Sequence, residues 1–276
     1  MKKKIINGLL VATILFIAIS VIGIIVLDGV AQSVIQSKAT EGLGVNVKLD
    51  SVHVGVLTRT SSIKGLTIAN PEPFLTEENP NLLTVTEATA DFSVFQMLDK
   101  EVNINKVFVE GVTLYLQQDT GLSNIETVIN TISNDETPDG SHPEPPFTIA
   151  HFIISDITVI ASGKFTILDK GAVTAHIDQI VMHDIGTDGD AEVVAEAITS
   201  AVTHAILQHL SNNPVEGFSK IAFSKVTEMI NGLPVFHQLG IGTAIQNVTD
   251  TTGKVIDSVI GGIGNLLGGN KENGKK

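Results

Sequence analysis

Val102-Asn103-Ile104-Asn105-Lys106-Val107-Phe108-Val109-Glu110-Gly111-Val112-Thr113-Leu114-Tyr115-Leu116 is the stretch that decides the fold. Val102, Ile104, Lys106 and Phe108 alternate with Asn103, Asn105 and Val107, and a period of two is the mark of a strand. The alternation covers Glu101 to Val109 and resumes from Val112 to Leu116, so Glu110-Gly111 reads as a tight corner between two strands.

The same period extends in both directions. Upstream, Val45, Val47 and Leu49 alternate with Asn46, Lys48 and Asp50, and Val52, Val54 and Val56 resume on the other parity. That slip at Asp50-Ser51 predicts a β-bulge or a bend. Strands follow over Ser62 to Ala69 and Leu82 to Phe95, separated by Asn70-Pro71-Glu72-Pro73, where two prolines interrupt any ladder. Downstream, Phe147 to Ile154, Ile157 to Ala161, Lys164 to Leu168 and Ala172 to Val181 read as strands linked by short turns such as Ser162-Gly163. Three-and-four spacing predicts a helix over Asn124 to Ile132, one from Asp190 to Leu210 and one over Lys220 to Ile230.

The N-terminus has a different character. Ile5 to Leu27 contains no charged side chain and follows Lys2-Lys3-Lys4. As a helix this run would reach roughly 34 Å, enough to cross a hydrocarbon core of about 30 Å. A cleavable signal has a shorter apolar region and a small-x-small site, which Leu27-Asp28-Gly29-Val30-Ala31 hardly supplies. The expectation is an uncleaved anchor, its lysines cytoplasmic and everything after Asp28 outside the cytoplasm.

Composition narrows the function. The net charge of the 276-residue chain is −13, and without the three N-terminal lysines the remainder is nearer −16. That argues against nucleic acid as a partner. With no cysteine, disulfides, thiolate metal sites and cysteine nucleophiles are excluded together. Aromatics at 4%, with no Trp, leave little for sugar or base stacking. The eight histidines are scattered, and His204 and His209, five apart, point in different directions on a helix. Asp184 to Asp190 resembles a calcium loop but has Gly186 at its third position and Ala195 at its twelfth, so a turn with a helix N-cap at Asp190 fits better. Gly261-Gly262-Ile263-Gly264 has no strand before it and makes a poor phosphate cradle. No convergent catalytic set, metal site or cofactor site is legible, and the expectation is that the chain is not an enzyme.

What remains is aliphatic surface on one parity of extended strands. Val45, Val47, Val54, Leu66, Ile68, Ile104, Phe108, Leu114, Ile153 and Val159 are the candidates for lining an apolar trough that receives acyl chains, since tail binding needs dry area and few polar contacts. The same pattern equally fits a sheet face that is core, covered by the C-terminal helices.

Three segments resemble the AsmA-like family of membrane-anchored bacterial envelope proteins: Gly65-Leu66-Thr67-Ile68-Ala69-Asn70-Pro71-Glu72-Pro73-Phe74, the opening stretch Val102 to Leu116, and Ser123-Asn124-Ile125-Glu126-Thr127-Val128. With the anchor and the strand at Gly44 they cover about half the chain in the right order. Pro73 departs from the family's usual glycine. The resemblance implies an inner-membrane anchor, a periplasmic body of repeating β-groove type, an association with phospholipid movement, and no catalytic residues. Family members able to bridge an envelope are far longer, so a short groove or an adaptor is the form implied here.

The expected fold class is therefore α+β: an N-terminal transmembrane helix, an antiparallel β-rich curved sheet or groove, and C-terminal amphipathic helices. Its parts are 1–27 lysines and anchor, 28–44 helical stalk, 45–189 β-groove body with a loop at 134–146, 190–239 helical appendix, and 240–276 Gly-rich amphipathic tail. The tail's glycines predict a helix that forms only against an apolar surface, either an anionic bilayer interface, which the terminal lysines favour, or the open side of the sheet, which the acidic body favours. The expected function is lipid binding or lipid-transport-associated work at the periplasmic face, with phospholipid, membrane and other envelope proteins as partners. The alternative is a structural scaffold with a closed core and no ligand.

Overall fold

A computed structural model describes residues 27–56, 58–91, 101–134, 147–167, 171–187, 194–213 and 215–232. The expected anchor up to residue 26, the loop 135–146 and the tail 240–276 lie outside the described residues. The architecture is α+β. Helix α1 (residues 27–43) leads into β1 (Val47–Lys48), β2 (Ser51–His53), β3 (Ser61–Ala69), β4 (Asn81–Ala90) and β5 (Val102–Gln118). Helix α2 (Asn124–Asn134), β6 (Phe147–Gly163), β7 (Val173–Thr187), α3 (Val194–Asn212) and α4 (Lys220–Asn231) follow. Among the described residues no helix is long and apolar enough to cross a membrane.

The strands form one seven-stranded sheet in the order β1-β3-β4-β5-β6-β7, with β2 also on β3. All pairs are antiparallel except β5 and β6. That parallel pair departs from the antiparallel expectation, and it follows from the crossover: a strand that returns through a helix and a long connection re-enters in the same direction. Several expected turns are also absent. Glu110-Gly111 is no corner, because β5 runs through it for 17 residues, and β6 likewise joins the two strands expected over 147–154 and 157–161. Lys164 to Ile167 is not a strand; Lys164 and Phe165 form a turn, and Thr166 makes an isolated bridge to Phe218, just before α4. Asp184 to Thr187, read as part of a turn, continues β7.

A transverse seam explains how strands this long hold one apolar face. The register sets Asp50 against Gly65, Gly65 against Thr86, Thr86 against Gly111, Gly111 against Asp156, and Asp156 against Asp178. Gly65, Gly111 and Asp156 have φ of 62, 68 and 52°, in the left-handed region. A left-handed residue reverses the pleat, so the spacing of inward residues becomes three at that point instead of two. On β5 the buried residues are Val107 and Val109 before the seam and Val112, Leu114 and Leu116 after it. The slip at Asp50-Ser51 in the sequence is the first point of this seam. Glycine is required at two places, since a Cβ on Gly65 would run into the Asp50 carboxylate and one on Gly111 into the Thr86 hydroxyl.

A second seam crosses Asn105, Ala150 and Asp184, the last with φ 53°. Across it the core-facing positions change from half-buried Ile104 and buried Ile149 to Val107 and Phe152, and from Ile185 to Met182.

The resulting face is packed against helices. Leu43 of α1, Ile125, Val128 and Ile129 of α2, Val202, Ala205, Ile206 and Leu210 of α3, and Phe223, Val226 and Ile230 of α4 share one hydrophobic cluster with Ile68, Leu83, Leu114, Ile157 and Val159 of the sheet. Helix α1 covers the outer edge of β1 and β2 with polar side chains spaced by four. The Val54 amide donates to Asp28 Oδ1 (2.7 Å), Gln32 Nε2 donates to the Leu49 carbonyl (2.7 Å), the Leu49 amide to Gln36 Oε1 (2.7 Å) and the Val47 amide to Thr40 Oγ1 (3.0 Å). Backbone groups of Val47, Leu49 and Val54 along this edge are thereby satisfied without another strand.

Candidate functional site

The apolar face is the candidate site, and the ten residues read from the sequence divide over it. Val47, Ile68, Leu114 and Val159 are buried in the core cluster, and Val45, Leu66 and Ile104 pack against it half-buried. Val54 is half-buried beside Asp28 and outside the cluster. Phe108 and Ile153 belong to the opposite face: they pair in register with each other, Phe108 is half-buried and Ile153 is buried but outside the core cluster, and the Lys106 ammonium stands 5.7 Å from the Phe108 ring centroid. The second seam is the reason. It separates Ile104 from Phe108, which shared a parity in sequence but not a side in space.

The face is filled where α1 to α4 cover it. Between Leu43, Ile68, Leu82, Leu83, Leu114, the α2 residues Ile125, Val128 and Ile129, Thr203 and Ile230 there remains a cavity of about 20 Å³. That is room for about one water and for no acyl chain.

Polar side chains lock the helices to the sheet. Ser123 and Glu126 form a capping box at the start of α2: the Ser123 amide donates to Glu126 Oε2 at 2.7 Å and the Glu126 amide to Ser123 Oγ at 3.2 Å. The other oxygen of Glu126 lies 2.6 Å from Lys225 Nζ on α4. Burial pushes the Glu126 carboxyl up, but Lys225 and the Ser123 hydroxyl and amide outweigh it and hold the carboxyl below its ordinary value. Asn124 accepts from the Gln117 amide (3.0 Å) and donates to the Tyr115 carbonyl (2.8 Å) and to Asn70 Oδ1 (2.8 Å). The three segments that carry the family resemblance therefore meet at one buried polar knot.

On α3, burial pushes the His204 imidazole down to about 4, with Gln208 offsetting only part of this, and lowers His209 in the same way. His204 is thus a neutral core group in a helix, as its buried neighbours Thr203, Ala205 and Ile206 imply. Among the described residues no three His, Cys, Asp or Glu side chains lie close enough together to hold a metal ion. The sequence reading passed over the α1 ladder and the Lys225 pair. The capping box has a local signature, Ser123-x-x-Glu126, that also went unread, whereas nothing local in Asp28, Gln32, Gln36 and Thr40 announces a sheet edge.

Comparison with protein-family models, with curated proteins and with solved structures gives no match.

Proposed function

We propose that the chain is a membrane-anchored envelope protein of the AsmA-like kind, with cytoplasmic lysines, a periplasmic body and no catalytic activity, that binds lipid or helps to move it at the inner-membrane surface. The observation that carries this reading is the single aliphatic face running along the full length of β5 and β6, with the polar residues of those strands turned to the other side. Helix α1 runs antiparallel to β1 and β2, with Asp28 at Val54 and Thr40 at Val47. Its N-terminal end therefore lies at the Val54 end of the sheet, and an anchor preceding it brings Ile104 and Val107 toward the bilayer while the turn at 70–80 points away.

In the state described, the helices occupy the place an acyl chain would take, and lipid entry requires α3 and α4 to lift. The cavity of about 20 Å³ favours a second reading on the same evidence, a tethered scaffold whose sheet is closed for good. Photoreactive residues at Leu66 and Ile104, compared with Thr84 and Thr113 on the polar face, separate the two in native membranes. Lipid adducts confined to the first pair support lipid handling. Equal capture at both pairs, or none at either, leaves the scaffold.

A further inference from the structure

His151 of β6 and His183 of β7 face each other in register on the polar side of the sheet. Their Nδ1 atoms are 3.0 Å apart and their rings nearly perpendicular, at 84°. His151 is exposed and His183 half-buried. We propose that this cross-strand pair binds a divalent transition-metal ion of tetragonal preference, copper(II) above all.

Ligand type and number make the choice, and the spacing is compatible with it. Two imidazole nitrogens each about 2.05 Å from a metal and 3.0 Å from one another subtend about 94° there. A tetrahedral ion such as zinc wants about 109° and would need the nitrogens roughly 3.3 Å apart, whereas cis positions of a square plane stand near 90°. Imidazole suits copper, and copper(II) binds most strongly among the first-row divalent ions.

The support is rigid. β6 lies between β5 and β7, and the left-handed Asp184 beside His183 belongs to the seam that fixes which residues share this side. Lys106, the register neighbour of His151 on β5, directs its ammonium over the Phe108 ring. Among the described residues no third His, Cys, Asp or Glu joins the pair, so these residues supply two ligands and water or a small anion fills the other positions. The bland alternative is a hydrogen bond, one Nδ1–H donating to the other Nδ1, which a metal must displace. This inference stands apart from the lipid reading.

The full chain in detergent micelles, titrated with copper(II) against a glycine competitor, tests it. One copper per chain with two equatorial nitrogens in its paramagnetic resonance spectrum is expected. His151→Gln and His183→Gln, which keep a hydrogen-bonding side chain, should each weaken binding by at least about tenfold, the loss of one of two ligand bonds. His53→Gln and His176→Gln should leave it unchanged. Equal affinity in the His151→Gln/His183→Gln double variant, or loss on changing His176, overturns the site.

Discussion

Asn124 Nδ2 donates to Asn70 Oδ1 at 2.8 Å across 54 positions of sequence, with both residues buried. Asn70 in turn donates from Nδ2 to the Asn79 carbonyl at 2.9 Å, closing the turn between β3 and β4. The start of α2, the end of β5 and this turn are therefore held by one pair of amides.

Replacing Asn124 by Leu keeps the branched outline but strips partners from the Gln117 amide and the Tyr115 carbonyl as well as from Asn70. Unsatisfied buried polar groups cost about 1–3 kcal/mol each, so a loss of roughly 3 kcal/mol or more is expected. Denaturant unfolding of the full chain in micelles measures it. A change within about 0.5 kcal/mol, typical of an unremarkable surface site, would show that the knot adds nothing.

The seam makes its own prediction. Gly111→Ala places a Cβ against Thr86 at a φ of 68° and should destabilise by about 1–3 kcal/mol. Thr86→Ala removes the hydroxyl that a residue-111 Cβ would meet, so the double variant should recover part of that loss. Strict additivity in the cycle would mean that backbone strain at Gly111, rather than crowding by Thr86, sets the cost.

These two sites show what could be read in the chain and what could not. Alternation announced β3, β4 and both halves of β5, and three-and-four spacing announced α2, α3 and α4. Gly111 was misread as a corner because a glycine that reverses a pleat and a glycine that turns a chain look alike one strand at a time. Only pairing with Thr86 and Asp156 distinguishes them. Phe108 and Ile153 were assigned to the trough for a related reason: parity is counted along one strand, and the second seam resets it. The burial of Leu114 was legible from its parity, but its covering by α2 and α4 depends on contacts between residues far apart in sequence.

Acid should act first through His204. Its imidazole titrates near 4 in the folded chain and near 6.5 when unfolded, so between those values the unfolded state binds more protons. Stability therefore falls as pH drops from about 6.5 toward 4, by up to about 3 kcal/mol. His209, lowered in the same direction by burial, adds to the same trend. His204→Leu should flatten unfolding free energy across that window. An unchanged pH slope would place the proton uptake elsewhere.

Glu126 works in a lower window. Its folded carboxyl is held below the ordinary 4.5, so its contribution is complete above that value and is lost as pH falls through the folded titration. Glu126→Gln should lower stability at neutral pH while making it less sensitive to pH below about 4.5, the ordinary value of the group. Lys225→Met should reproduce part of this and weaken the attachment of α4 to α2. Hydrogen exchange at Phe223 and Val226 reports that attachment, and exchange unaltered by Lys225→Met would remove the ion pair from any role in holding α4.

The ladder on α1 bears on how the body is carried. Gln32 and Gln36 satisfy the carbonyl and the amide of Leu49, a residue between β1 and β2 that has no strand beyond it. A Gln32→Leu/Gln36→Leu variant leaves those backbone groups facing aliphatic side chains. Because water reaches an edge more readily than a core, the loss should lie near the lower end of about 1–3 kcal/mol per group. Leu49 and Val47 amides should exchange faster while those of β5 stay protected, since the sheet's centre does not depend on its edge. If instead β5 exchange rises in parallel, α1 and the sheet unfold as one unit, and the helix is an integral layer of the body rather than a stalk docked on its side.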